Sequence, residues 1–246
     1  MTSFTRPDLI ACPHCGAKHE RVKLRSFNDF WATYYSDGGS SFAPYKFCGL
    51  LSRCTACLQL IVKTYDLPTA GEVVTRKIFK PSFWRKLFGL EYEFDLVKPF
   101  ECPRLPCPSL PDWLEASEQA NLPQALREQC EYIFMLEYNQ LTVADKPKHV
   151  DWIERYRSKH RQIEDKILAS LEDSKGDADQ LLCADILRRR GEFDLALQHL
   201  EGVASEAFLN HKRHLTQWVN EENTVLMAIS KCEEAGYDGN SKKEMK

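Results

Sequence analysis

Four cysteines stand in two short hooks, Cys12-Pro-His-Cys15 followed by Gly16, and Cys54-Thr-Ala-Cys57. A C-x-x-C spacing lets two sulfurs turn toward one point, and two such pairs complete the tetrahedral S₄ shell that Zn²⁺ prefers. Cys12, Cys15, Cys54 and Cys57 are therefore the expected ligands of one structural Zn²⁺. A four-thiolate shell leaves no position for water, so the ion is expected to brace the fold and not to activate a nucleophile. The hooks lie 38 residues apart, more than the ~15–20 residues common between the hooks of compact zinc modules. Intervening strands and a glycine-containing loop account for the insertion.

Other donors fit the shell less well. Cys48 could displace one ligand, yet Phe47 and Leu50 beside it suit a packed thiol. His14 lies inside the first hook and is expected to project outward. Cys102 and Cys107 could hold a second metal only if His149 or Cys130 folded back, and the plainer reading is that they hold none. Cys130, Cys183 and Cys232 fall on helical segments and read as packed thiols. A redox dithiol is the rival reading of the hooks, but it wants an acidic thiol at a helix N-terminus, and neither hook opens a helix.

Catalytic signatures are missing from the sequence. No glycine-rich phosphate loop, G-x-S-x-G elbow or H-E-x-x-H pair occurs, so the expectation is a protein without enzymatic activity. His211 and His214 share a helix face, where capping or solvated histidines are the ordinary case. The net charge of -3 exerts no overall pull toward nucleic acid or anionic lipid. Locally the first 66 residues differ: Lys18, Arg21, Lys23, Arg25, Lys46, Arg53 and Lys63 outnumber Glu20, Asp29 and Asp37 there. With Phe27, Phe30, Trp31, Tyr34 and Tyr35 interleaved, that face could stack bases and neutralise phosphates. The same aromatics could equally build a small core. Residues 79–88, basic and aromatic together, could dock on a membrane or partner, and packing on the helices is the simpler use.

The elements that must position the hooks are short. Residues 19–25, 30–35 and 57–65 alternate or read as strands, and Asp37-Gly-Gly-Ser-Ser forms a loop. So small a sheet buries little, and a metal would supply the missing stability. Residues 73–79 and 91–97 suit strands, Pro81 opens a turn or two of helix, and five prolines between 99 and 111 mark a linker. From 111 the spacing is helical: a short helix at Pro111, one capped by Asn121, one over 149–173, one capped by Asp177 or Asp179, a returning helix from Phe193, and a long last helix over 205–232. The stripe Val150, Ile153, Tyr156, Ile163, Ile167 and Leu171 should face the core. The tail after 236 has nothing to bury and should be disordered.

The hairpin at 181–200, with Ala184, Gly191, Phe193, Ala196, Leu197 and Leu200, resembles the inter-helix turn of a tetratricopeptide repeat. Together with Cys12, Pro13, Cys15, Gly16, Val22 to Ser26, Pro44, Tyr45, Cys54 and Cys57, it resembles a set of uncharacterised bacterial zinc-ribbon proteins with a tetratricopeptide-like helical tail. The chain departs from that pattern at Leu58, where a glycine is expected. The resemblance implies a bacterial cytosolic zinc protein with an interaction-type tail, and no activity comes with it. Cysteine usage points to the same reducing cytoplasm, and no run reaches the ~18 apolar residues of a membrane span.

The expected fold is thus α+β: a small antiparallel zinc ribbon over 1–66, an irregular linker with some β structure over 67–110, an all-α tetratricopeptide-like domain over 111–236, and a tail. The expected function is a zinc-binding adaptor or regulator that engages a protein partner through its helices. A nucleic-acid-binding accessory factor using the basic, aromatic face of the ribbon is the alternative. Nothing in the sequence sets the oligomeric state.

Overall fold

The computed structural model describes residues 3–4, 8–22, 24–26, 34–39, 49–72, 102–143 and 150–229. Several expectations fall outside these residues: the strands at 73–79 and 91–97, the helical turns after Pro81, Cys48, Cys232 and the tail. Within them the architecture is α+β, with short antiparallel strands toward the N-terminus followed by six α-helices. The chain divides into two compact units, Met1–Asn28 with Pro44–Asp112, and Asp29–Ala43 with Trp113–Lys246.

The first unit is a set of small sheets. Strand β1 (Ser3–Phe4) is antiparallel to β4 (Leu24–Ser26). Strand β2 (Asp8–Ala11) lies between β3 (Lys18–Arg21) and β8 (Thr69–Glu72), antiparallel to both. Strands β6 (Leu51–Arg53) and β7 (Leu60–Val62) make a separate hairpin. Central β2 is buried on both faces, with Leu9 and Ile10 closed off. Residues beyond 66 return to this unit: β8 pairs with β2, and Glu20 exchanges backbone hydrogen bonds with Pro103 and Leu105.

Strand β3 reverses the polarity that its alternation suggests. His19 and Arg21 face the interior, and Val22 after them is half-buried. Arg21 sits directly opposite Asp8 in the β2–β3 register. Its Nε and Nη2 donate to the two carboxylate oxygens at 2.9 and 2.5 Å, and Nη1 donates to the carbonyls of Thr64 and Leu67. A buried guanidinium is tolerable when its donors are used in this way. The pair also ties the chain leaving β7 to the sheet.

The second unit holds the helices, apart from the first three residues of α1: α1 (Leu110–Glu118), α2 (Gln124–Val143), α3 (Val150–Leu171), α4 (Asp177–Arg189), α5 (Phe193–Glu201) and α6 (Leu209–Asn220). Helices α4 and α5 form the expected hairpin, and the small side chains of Ala184 and Ala196, both fully buried, let them approach closely. Gly191, at φ 78°, makes the turn. Its N–H meets the carbonyl of Arg188 at 2.9 Å, and Glu192 N–H meets that of Leu187 at 2.9 Å, the paired bonds of a Schellman cap. Helix α6 completes the core through Leu215, Trp218 and Val219, packed with Leu181, Leu187, Leu200 and Val203.

Three expectations for the helices change. Helix α4 begins at Asp177 itself, with Gly176 at the cap and no side-chain cap bond. The Asp177 carboxylate instead accepts from the backbone of Ala204 and Ser205. The stripe on α3 is only partly apolar: Ile163 is buried, Val150 is exposed, and His160 and Glu164 are the other buried residues. The last helix ends at Asn220 instead of reaching 232. Fully buried Arg188 explains this stop, since it donates to the carbonyls of Asn223 and Val225 and so takes acceptors that a helix would need. The chain then extends into β9 (Ala228–Ile229), which pairs with β5 (Tyr34–Tyr35).

Buried polar groups join these helices. Asp185 accepts from Arg188 at 2.7 Å and from Arg189 at 3.0 Å, and Asn139 donates to Asp37 at 2.7 Å. His160 donates from Nε2 to Asn139 Oδ1 at 2.9 Å and stacks on Tyr138 with centroids 4.2 Å apart. Burial, and then the charges of Arg189, Arg190 and Arg161, pull its pKa down to about 3. The unfolded chain therefore takes up a proton near pH 6.5 that the folded chain refuses until about 3. Stability should fall as pH falls across that window, by about 1.4 kcal/mol per unit at most. Urea denaturation at pH 7.0, 6.0 and 5.0 tests this. The difference between wild type and His160→Gln should shrink as the medium is acidified, and a difference independent of pH would refute the assignment.

Candidate metal centre

Each cysteine hook is the turn of a hairpin. The first joins β2 to β3, where Ala11 faces Lys18, and the second joins β6 to β7, where Arg53 faces Leu60. The two turns are built alike. Cys12 N–H reaches the carbonyl of Ala17 at 2.8 Å, and Cys54 N–H reaches that of Gln59 at 2.9 Å. Gly16 N–H then returns to Cys12 at 2.8 Å, as Leu58 N–H returns to Cys54 at 2.9 Å. Closing so tight a turn demands a positive φ just after the second cysteine, and Gly16 and Leu58 adopt 74° and 61°.

These matching turns bring all four sulfurs within 4.8 Å of one another. Cys12 Sγ lies 3.8 Å from Cys57 Sγ, and Cys15 Sγ lies 3.7 Å from Cys54 Sγ. A tetrahedral ion with metal–sulfur bonds of about 2.3 Å has ligand edges of about 3.8 Å. Spacing and donor type both fit one metal ion. Cys12 and Cys54 are buried, Cys57 is half-buried and Cys15 is exposed. Among the described residues no other cluster of three or more histidines, cysteines or carboxylates has metal-binding spacing. Cys102 and Cys107 form no second centre there, and Cys130 and Cys183 are buried on α2 and α4.

The backbone and one histidine prepare the sulfurs for a cation. Burial of Cys54 pushes its thiol up, but the amides of Cys57 and Ala56 and then His19 outweigh this and bring the pKa down to about 5. Burial holds Cys12 above the ordinary thiol value. At Cys57 the Gln59 backbone lowers the pKa, yet burial and the neighbouring sulfurs carry it up to about 12. Several thiols this close cannot all ionise unless a cation joins them.

His19 escaped the sequence reading. It is fully buried on β3, and its Nε2 lies 3.2 Å from Cys54 Sγ, where an N–H donates to the thiolate. Its exclusion from the cluster of four sulfurs makes it a neighbour of the metal position instead of a ligand. Such outer hydrogen bonds orient a ligand and draw charge from it. The available signal was position: His19 shares a face of β3 with buried Arg21, four residues after Cys15. His14 is exposed, as expected, and donates from Nε2 to the carbonyl of Leu60 at 3.0 Å, linking the two hairpins. Arg53 secures the second hook from behind by donating to the Leu58 carbonyl at 2.7 Å while pairing with Asp112.

Two measurements check this geometry. Binding of one divalent ion to metal-free protein at pH 7 should release at least two protons, those of Cys12 and Cys57. Calorimetry in buffers of different ionisation enthalpy counts them, and fewer than two would contradict the four-thiolate shell. Leu58 is 63% exposed, so no packing repays its left-handed backbone. Leu58→Gly should raise stability by about 0.5–1 kcal/mol in urea melts with unchanged m-value. A destabilised variant would show that the leucine side chain matters more than its φ.

Comparison with protein-family models, with curated proteins and with solved structures finds no match for this chain, so the centre is read from its own geometry.

Proposed function

We propose that this protein is a zinc-binding, non-catalytic adaptor or regulator. In this reading one structural Zn²⁺ is held by Cys12, Cys15, Cys54 and Cys57, the first unit is a zinc ribbon, and the second is a tetratricopeptide-like helical unit that binds a protein partner. The convergence of four sulfurs within 4.8 Å carries the proposal. Four soft thiolates at tetrahedral spacing favour Zn²⁺ over the hard cations that oxygen ligands serve. With every ligand place filled by the chain, the ion has no site for substrate, and its role is to fix the hairpins.

The helical part of the reading draws on the α4–α5 turn and the stacking of α6 upon it. Repeats of this kind bury one face against neighbours and present another to a peptide or partner. Leu195 and Leu209, each 45% exposed, supply apolar positions on that outer surface. The alternative use of the first unit on nucleic acid loses two of its cations: Arg21 is buried against Asp8, and Arg53 pairs with Asp112 at 2.5 Å. No helix among the described residues is long and apolar enough to cross a membrane.

Elemental analysis of purified protein should give one zinc per chain, falling below one-tenth in Cys54→Ser. Iron in its place, or folded metal-free protein, would overturn the zinc assignment. For the partner, a protein recovered at unit stoichiometry with wild type should be lost from Leu195→Glu and Leu209→Glu while melting temperature holds. Salt-sensitive retention on single-stranded RNA or DNA, with no protein partner recovered, would replace the adaptor reading with the nucleic-acid one.

A further inference from the structure

Within the helical unit a cavity of about 360 Å³ opens between α2, α3, α4 and the segment after α6. Four guanidinium groups line it: Arg157 and Arg161 from α3, and Arg189 and Arg190 from the end of α4. The one carboxylate on its wall, Glu164, is already neutralised. One of its oxygens accepts from Arg189 at 3.0 Å and the other from Arg190 at 2.9 Å. We propose that this cavity binds a small molecule through an oxyanion, a phosphate or a carboxylate.

Arg190 is fully engaged by Glu164, Asp165 and the Arg161 carbonyl, and the other three arginines are in two conditions that suit an incoming anion. Arg157 and Arg161 stand at the mouth, 65% and 49% exposed, paired with Glu154 and Glu192 on the surface. Exposed pairs of this kind contribute little, so exchanging the carboxylate for a ligand oxyanion costs little. Arg189 is the reverse. It is nine-tenths buried, with Nε given to Asp185 and Nη1 to Glu164 and Asn139. Its Nη2 is buried with no hydrogen-bond acceptor among the described residues. A planar fork with a spare pair of N–H groups is the donor that phosphate and carboxylate use best.

The rest of the wall agrees with this assignment. His160 lines the cavity in its neutral form even though the Glu164 carboxylate is only 3.7 Å away. Burial holds it neutral, and the charges of Arg189, Arg190 and Arg161 reinforce burial. Its Nε2–H is committed to Asn139 Oδ1, because that oxygen also accepts from Arg189 and so fixes the amide. Tyr138 stacked on His160, together with Val225 and Leu226, gives the ligand a flat and apolar surface to lie against. Burying so many ionised groups gains a fold little stability that a hydrophobic core would not supply. Their gathering around an open cavity is the pattern of a binding site.

The test titrates full-length, metal-loaded protein with inorganic phosphate and, separately, with succinate, at ionic strength held constant with sodium chloride. Arginine Nε–Hε cross-peaks and the melting temperature are followed. Saturable shifts at Arg157, Arg161 and Arg189 with at least one of the two anions are expected, and which anion saturates identifies the group recognised. Arg157→Ala and Arg161→Ala should each weaken that binding by about five-fold or more, and both variants should fold, since the side chains removed are exposed. Shifts that merely track chloride, or affinity unchanged in both variants, would overturn the proposal.

Discussion

Convergence of four sulfurs on one point is the constraint from which the first unit follows. Its sheets hold two or three strands each, and the core around the hooks consists of Cys12, Cys54 and Ile61 with a few half-buried neighbours. Hairpins this small are marginal in water because too little apolar surface is removed. The hooks join two of them across 38 residues of sequence, and a shared cation would turn mutual repulsion of thiolates into a cross-link. Positive φ at Gly16 and Leu58, the paired amide bonds and the buried His19 are all consequences of presenting sulfur at a hairpin tip. Where the chain has leucine instead of glycine, Arg53 fastens the strained carbonyl.

Arginine plays the comparable part among the helices. Arg188 is fully buried, forms an ion pair with Asp185, and holds the carbonyls of Asn223 and Val225, so the segment after α6 is pinned where a longer helix would have run. Its Nη2 also reaches Ser36 Oγ at 3.3 Å, which brings the β5 turn into the same network. A lone buried guanidinium would be ruinous, whereas this one is tolerated because carbonyls and a carboxylate surround it. All three side chains of the Arg188-Arg-Arg190 run turn inward.

What could be read from the residues was whatever local spacing encodes. The two C-x-x-C pairs meet because each is a turn with its own internal bonds, and Gly191 ends α4 because its cap bonds span only five residues. Partners far apart in sequence were not legible. Asn139 meets Asp37 across 102 residues and Arg188 meets Ser36 across 152, and no periodicity reports such pairs. The same blindness lengthened the last helix, since the acceptors that stop it belong to Arg188. Nor did the alternation over 19–25 show that polar His19 and Arg21 are taken inside by Cys54 and Asp8. Cutting the first unit at residue 66 followed composition, whereas β8 and the bridge at residue 104 join it through pairing alone.

The two polar centres differ in one respect that bears on use. Around the sulfurs the hairpin amides and His19 Nε2 are turned onto other parts of the chain, while His19 Nδ1 is buried with no hydrogen-bond partner among the described residues. Four thiolates at tetrahedral spacing would leave a shared cation no open place, which suits a brace. Around Arg189 a nitrogen is likewise buried with no acceptor among the described residues, Arg157 and Arg161 pair with Glu154 and Glu192, and the wall is open. Polar groups left incomplete in a protein interior cost free energy, and a fold that keeps them beside a cavity has its deficit in the place where a ligand could make it good. What separates the two is access: four sulfurs would enclose a shared cation, whereas the arginine-lined cavity is open to the small molecule proposed for it.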